Sequence, residues 1–249
     1  MKLMRAIRLP GIHHDSNSVL ISDSGDACLI DCGTSWYQLL VEERIRGQLP
    51  EKTEISSIFL TSRRFNHCGA ASFLSSSFDA EIFIHKSAVN CLAGGDHFST
   101  WASRFNSDMP STDAHEIQDE YKLEIGNIEL EAIHLPGHSI DSMGFYVESH
   151  NLLVAGSTIP SQKFPSRWDL PTGCLPDLAD SIELILDLDL EILITGFGEQ
   201  IVGHNLIKST LENHRDFFDK CIELEINEHS ELWEKPAQTV TYLTPKNWD

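Results

Sequence analysis

Nothing in this 249-residue chain resembles a membrane span: its longest apolar run, residues 182–193, is broken by Glu183, Asp187, Asp189 and Glu191. A transmembrane helix needs roughly 20 nearly uninterrupted apolar residues. The first ten residues carry basic side chains with no apolar stretch behind them, so no secretory leader is expected there. Basic residues are also scarce, 18 Lys and Arg against 38 Asp and Glu, for a net charge of −20. Such a surface repels phosphate backbones and anionic membranes, which argues against nucleic acid and membrane as partners. The six cysteines, Cys28, Cys32, Cys68, Cys91, Cys174 and Cys221, never form a Cys-x-x-Cys pair. Neither a ribbon-type zinc site nor a dithiol redox motif is therefore expected, and free thiols in a reducing, cytoplasmic compartment follow. A Gly-x-Ser-x-Gly elbow is absent too, which removes the usual signature of a serine nucleophile.

What is present is ordinary globular composition, 41% hydrophobic and 22% charged. No linker separates two units, so a single domain over residues 1–249, built from two similar αβ halves, is expected. In the first half, strands are expected at 18–21 and 27–30 around an Asp/Gly-rich turn, at 55–60 and at 81–85. Helices are expected over 36–46 and from 70 onward. Residues 93–117 show no period and read as a loop or lid. The second half repeats the theme, with strands at 121–125, 128–134, 144–147, 152–155 and 192–195. Helices follow at 178–186 and 206–225, the latter presenting Ile207, Leu211, Phe218 and Ile222 on one face. Hairpins followed by helices, twice over, predict two packed sheets with helices outside, a four-layer αββα sandwich.

Four segments then occur in order. The first is Leu29-Ile30-Asp31-Cys32-Gly33. The second is Thr61-Ser62-Arg63-Arg64-Phe65-Asn66-His67-Cys68-Gly69. The third is Pro136-Gly137-His138-Ser139, followed by Ala155-Gly156-Ser157-Thr158, and the fourth is Thr195-Gly196-Phe197-Gly198. Together they resemble the metallo-β-lactamase superfamily over nearly the whole chain. They are similar to its Asp-x-Gly turn, its Thr-His-x-His-x-Asp-His loop, its Pro-Gly-His-Thr and Gly-Asp turns, and its closing Gly-His-Gly. The resemblance implies the αββα fold and a cleft that in intact members holds two metal ions on five histidines and two aspartates.

Carried over position by position, those ligands are here Ser62, Arg64, Asn66, His67, His138, Ser157 and Phe197. Only His67 and His138 survive, and in the family pattern they serve different metal ions. A zinc site needs three or four protein ligands, so no metal is expected. Zinc or iron would return only if Cys68, Asp141, Glu199 or His204 rebuilt a site. Both carboxylates are gone, and Arg64 puts a permanent cation where an imidazole belongs.

For His67 and His138 the alternatives are residual metal binding or simple hydrogen bonding to neighbours such as Asp31 or backbone carbonyls. Arg64 is either a hook for a carboxylate or phosphate, through its donor fork, or an internal partner of Asp31 or Asp141. Arg63, at a variable position, is expected on the surface. His13-His14, read as strand neighbours, would point to opposite faces. Phe98, Trp101 and Phe105 are expected to pack a loop onto the core. A Ser–His pair of Ser62 or Ser157 with His67 or His138 is disfavoured, because it needs an oriented base, an oxyanion hole and a nucleophile held on a strained turn, and no Gly-x-Ser-x-Gly elbow is present.

Three functions follow from the resemblance. The first is a non-catalytic binding, scaffold or regulatory pseudoenzyme, with an unidentified protein or a small anionic ligand as partner. The second is a hydrolase of a small ester, thioester or lactone on a rebuilt or single-metal site. The third is a flavodiiron-like relative.

Overall fold

In a computed structural model, which describes residues 4–224, 232–237 and 240–246, the chain forms two six-stranded sheets. The first holds β1 (Arg5–Leu9), β2 (Ser18–Asp23), β3 (Asp26–Ile30), β4 (Glu54–Leu60), β5 (Glu81–His85) and β6 (His115–Ile117), in that spatial order. Its first three strands pair antiparallel and the rest parallel. Between them run α1 (Gln38–Gln48), the single turn α2 (Phe65–Cys68), α3 (Ala71–Phe78), α4 (Val89–Ala93) and α5 (Ala102–Phe105). The second sheet holds β7 (Lys122–Ile125), β8 (Ile128–His134), β9 (Met143–Val147), β10 (Leu152–Val154), β11 (Ile192–Ile194) and β12 (Ile201–Val202). Helices α6 (Leu175–Leu186) and α7 (His204–Glu223) accompany it.

The layering follows from side chains alternating across each strand. On β2, Val19 and Ile21 face the second sheet while Leu20 joins the layer under α1 and α3. Along β3, Cys28 and Ile30 face inward, and Ala27 and Leu29 face the helices. On the other side Phe145 and Val154 meet the first sheet, while Tyr146 and Leu153 pack toward α6 and α7. Three apolar layers thus separate helix, sheet, sheet and helix, which is the expected αββα order.

Several details differ from the sequence reading. The helix expected from residue 36 begins with a 3-10 turn, Ser35–Tyr37, before α1. The aperiodic stretch 93–117 contains α5 and the edge strand β6. His13 and His14 lie in a turn, with His13 at φ 54°, stacked on Tyr37, and His14 against Trp36 and Phe105. On α7 the inward face carries His214, Phe217 and Cys221 beside Ile207, Leu211 and Phe218, while Ile222 is exposed. The expected last residue of that helix, Glu225, lies outside the described residues. Trp101 is buried and Phe105 packs on Phe65, but Phe98 faces solvent.

At one end of the sandwich the hairpin turns of the two sheets meet. The Asp23 carboxylate accepts hydrogen bonds from the Asn127 backbone N–H at 2.9 Å and side-chain amide at 2.8 Å. A Cβ on Gly126 would stand 2.4 Å from the Asp23 carbonyl oxygen, so only glycine admits this approach, at a φ of +60°. The loops after β3, β4, β8 and β10 gather at the opposite end. Among the described residues no helix is long and apolar enough to cross a membrane.

Candidate functional site

The four loops of the sequence pattern converge where the strands end. Asp31 leaves β3 in the left-handed region, φ 60°, a conformation aspartate tolerates better than most residues. The turn directs its carboxylate onto the next loop. Oδ1 accepts the Thr61 N–H at 2.8 Å, and Oδ2 accepts the Thr61 hydroxyl at 2.7 Å and faces His67 Nδ1 at 2.7 Å. The other face of the imidazole meets the second half of the chain, with Nε2 2.7 Å from Ser157 Oγ. Asp31, His67 and Ser157 are all buried. The carboxylate accepts from Nδ1–H, which leaves Nε2 as the acceptor for the Ser157 hydroxyl.

Ser157 is presented by the 3-10 turn Gly156–Thr158, directly after β10. Gly156 sits at φ +53°, and a Cβ there would stand 2.5 Å from Thr61 Oγ1, so the turn closes against the Thr61 loop only with glycine. Phe197 lies half-buried, its ring edge-on to His67 with centroids 5.5 Å apart. Its turn is held by buried Asn17, whose side-chain amide donates to the carbonyls of Thr195 at 2.8 Å and Gly198 at 2.9 Å. Asn17 and Thr61 carry no ligand signature in the sequence, because both act on partners brought in by the fold.

His138 is fully buried, with Nδ1 3.1 Å from both the Arg167 carbonyl and Ser166 Oγ. Ser166 spends its own proton on the Ser157 carbonyl at 2.7 Å. His138 therefore carries its proton on Nδ1, and its Nε2 lone pair has no partner among the described residues. Burial, then the charge of Arg64, holds the imidazole's pKa well below its ordinary value, so it is neutral.

Arg64 does not pair with Asp31 or Asp141. Its guanidinium donates to the backbone carbonyls of Ser99 at 3.1 Å and Pro171 at 2.7 Å. It passes 5.8 Å from the centroid of Trp101, and its buried Nε has no partner among the described residues. Burial lowers its pKa to about 10, which leaves it protonated at neutral pH. No carboxylate pairs with it among the described residues. Arg63, expected on the surface, is buried instead and takes Asp141 for itself: the carboxylate accepts from its Nε and its backbone N–H, each at 2.6 Å. A loop without period gives no signal of facing, and the partner that buries Arg63 lies 78 residues away. Ser62 lies in the same wall, its hydroxyl 3.4 Å from Ser139 Oγ. Asn66 is buried in α2, its carbonyl accepting the Ser16 N–H at 2.9 Å.

The residues fit a metal poorly. Both nitrogens of His67 are engaged, one by Asp31 and one by Ser157. His138 offers a single lone pair, and its charged neighbour is a guanidinium. The residues that would rebuild a site are not gathered. The Cys68 thiol donates to the Arg63 carbonyl, Asp141 holds Arg63, Glu199 pairs with Arg8 at the surface, and His204 lies 3.3 Å from Asp189. Among the described residues no group of three His, Cys, Asp or Glu is placed to hold a metal ion.

Buried titratable groups away from this centre add to the acid response that His138 contributes. Burial lowers His85 and His214 to about 4, so the unfolded chain takes up their protons first as pH falls from about 6.5. Stability from these two groups is present above about 6.5 and is lost toward pH 4. Asp15 works oppositely: burial raises it to about 6, so its contribution is full below about 3.8 and is lost as pH rises through about 6. We expect melting temperature to fall between pH 6.5 and 4. Asp15→Asn should raise it at pH 8 and steepen the acid loss, as read by thermal unfolding across that range. An Asp15→Asn protein no more stable than wild type at pH 8 would contradict the assignment.

The match to known proteins covers this whole arrangement. The model of the metallo-beta-lactamase superfamily matches residues 12–197. The chain is 31% identical over 201 residues to a protein of Methanocaldococcus jannaschii named "Probable metallo-hydrolase", covering 78% of this chain and 92% of that one. It is 29% identical over 184 residues to another so named from Bacillus subtilis, covering 73% and 83%. Among solved structures, the BLEG-1 B3 metallo-beta-lactamase superposes with a TM-score of 0.72 at 23% identity, over 86% of this chain and 99% of that one. A neighbour solved in a di-iron-bound form gives 0.65 at 22% identity, over 79% and 94%. Members of this group usually bind zinc or iron. The αββα sandwich, the four converging loops and these matches agree: the chain belongs to the metallo-beta-lactamase superfamily.

Proposed function

We propose that this chain is a metal-independent member of its superfamily, a pseudoenzyme with respect to metal-activated hydrolysis, whose cleft binds a small anion. The observation that carries the reading is Arg64: a protonated guanidinium, 1% exposed, standing where the family pattern has a histidine and, among the described residues, hydrogen-bonded by two backbone carbonyls and no carboxylate. A buried cation without a counter-ion is costly, and a carboxylate or phosphate beside it offsets that cost. Its fork of donors suits either anion.

Inorganic phosphate and succinate are the probes for the test. At about ten times the dissociation constant, either should stabilise the folded chain by roughly 1.4 kcal/mol, a rise of about 3–5 °C in melting temperature. Arg64→Met should abolish the rise. Elemental analysis of the same untagged protein should find neither zinc nor iron at stoichiometric level. Stoichiometric metal would overturn the reading in favour of a hydrolase, the activity named for the relatives. An anion response that survives in Arg64→Met would remove Arg64 from it.

A further inference from the structure

We infer that Asp31, His67 and Ser157 form a working nucleophilic relay, and that Ser157 accepts an acyl group from a small activated ester or thioester. The inference rests on the metal-independent reading, since a metal on His67 would take the lone pair that Ser157 now uses. Three features of the geometry carry it.

The base is oriented. His67 is fixed at Nδ1 by a carboxylate 2.7 Å away, and that carboxylate is itself clamped by the Thr61 N–H and hydroxyl. The nucleophile is in reach, with Ser157 Oγ 2.7 Å from Nε2, inside the window for direct proton transfer. The serine also follows a strand on a turn whose preceding residue, Gly156, sits at positive φ. Two of the three requirements behind the expectation against a Ser–His pair are thereby met, the oxyanion hole being the third. The base is oriented through Asp31, and Gly156 supplies a tight turn without the sequence signature of an elbow.

In the step itself, Ser157 Oγ attacks the carbonyl carbon while its proton passes to His67 Nε2. The bond from that carbon to the ester oxygen or thioester sulfur then breaks, and the leaving group takes the proton back from Nε2. The product is a serine ester and a free alcohol or thiol, with no redox change. Asp31 and Thr61 are positioning residues here, because they touch only the base and each other. Phe197 controls access: Ser157 is 2% exposed, and the half-buried ring stands edge-on to His67.

The test uses p-nitrophenyl acetate and a fluorophosphonate on the full chain, read by intact mass and peptide mapping. Wild type should gain one acetyl or one phosphonyl group, mapped to Ser157. Phe197→Ala should label about tenfold faster, by opening the path. Ser157→Ala should lose the adduct, and general-base assistance from His67 predicts a fall of roughly 10²–10⁴-fold in labelling rate when His67 is replaced by glutamine. A folded wild type and a folded Phe197→Ala that both stay unlabelled would overturn the proposal, as would an adduct that persists in Ser157→Ala. Metal content and the phosphate-induced melting shift, measured on the same samples, report on the anion-binding reading separately.

Discussion

Replacing Arg64 by His and Asn66 by Asp should raise zinc affinity by at least about a thousandfold, and adding Ser157→Asp should raise it further. Two unit charges about 4 Å apart in a partly buried setting interact by roughly 4 kcal/mol. A guanidinium beside a divalent ion is therefore a barrier of several kcal/mol, and its removal is the largest single gain. The new imidazole would join His138 in one site and the new carboxylate would join His67 in the other, two protein ligands each, and a carboxylate at position 157 would bridge the two and bring each to the three that a zinc ion requires. Ser157→Asp also frees His67 Nε2 from the hydroxyl that engages it at 2.7 Å. Competition against a chromophoric chelator reads the affinity, and circular dichroism checks the fold. If a folded double variant binds zinc no better than wild type, the positional equivalence of Arg64 and Asn66 with family ligands is wrong.

Asp31→Ala should cost about 4–6 kcal/mol, enough to leave much of the chain unfolded at 37 °C. One carboxylate satisfies the Thr61 N–H, the Thr61 hydroxyl and the His67 ring, all buried. Each donor orphaned by its removal costs about 1–3 kcal/mol, against a total stability of about 5–15 kcal/mol. Alanine also adopts the positive φ of this position less readily than aspartate. Asp31→Asn keeps an acceptor for Thr61 and tolerates that φ, so it should cost about half as much. Denaturant titration separates the two variants. A loss under about 2 kcal/mol for Asp31→Ala would mean that the loops at this end of the sandwich are held by other contacts.

The fold was legible in the sequence because every strand end that matters is marked twice, by an apolar run and by the turn that follows it. Leu29–Ile30 before Asp31 and Val154 before Gly156 are examples. That His67 and His138 bond to neighbours such as Asp31 or backbone carbonyls was legible as one of two alternatives, but which acceptor falls to which imidazole was not. Nor were contacts between distant loops. Arg63 and Arg64 are adjacent, yet Arg63 seeks Asp141 while Arg64 reaches Ser99 and Pro171. Nothing local distinguishes two arginines in an aperiodic loop. Asn17 escaped notice for the same reason, since its partners lie 178 and 181 residues away. On α7 the apolar stripe holds at Ile207, Leu211 and Phe218 and fails only at Ile222: Ile222 looks equivalent to Cys221 by composition, and only packing shows that the smaller thiol is the one inside. Ser157 was hard to read because its signature is a backbone angle at Gly156, which the residue letter permits but does not declare.

The meeting of the two hairpin turns at Asp23 and Asn127 bounds how the molecule can move. That end is pinned by Asp23, Asn127 and a contact only Gly126 permits. The far end is fastened across the same seam, by Arg63 to Asp141 and by Asn17 to the Thr195 and Gly198 carbonyls. With a clasp at each end, neither can serve as a hinge for the other, and His67 from one half meets Ser157 from the other inside a frame closed on both sides.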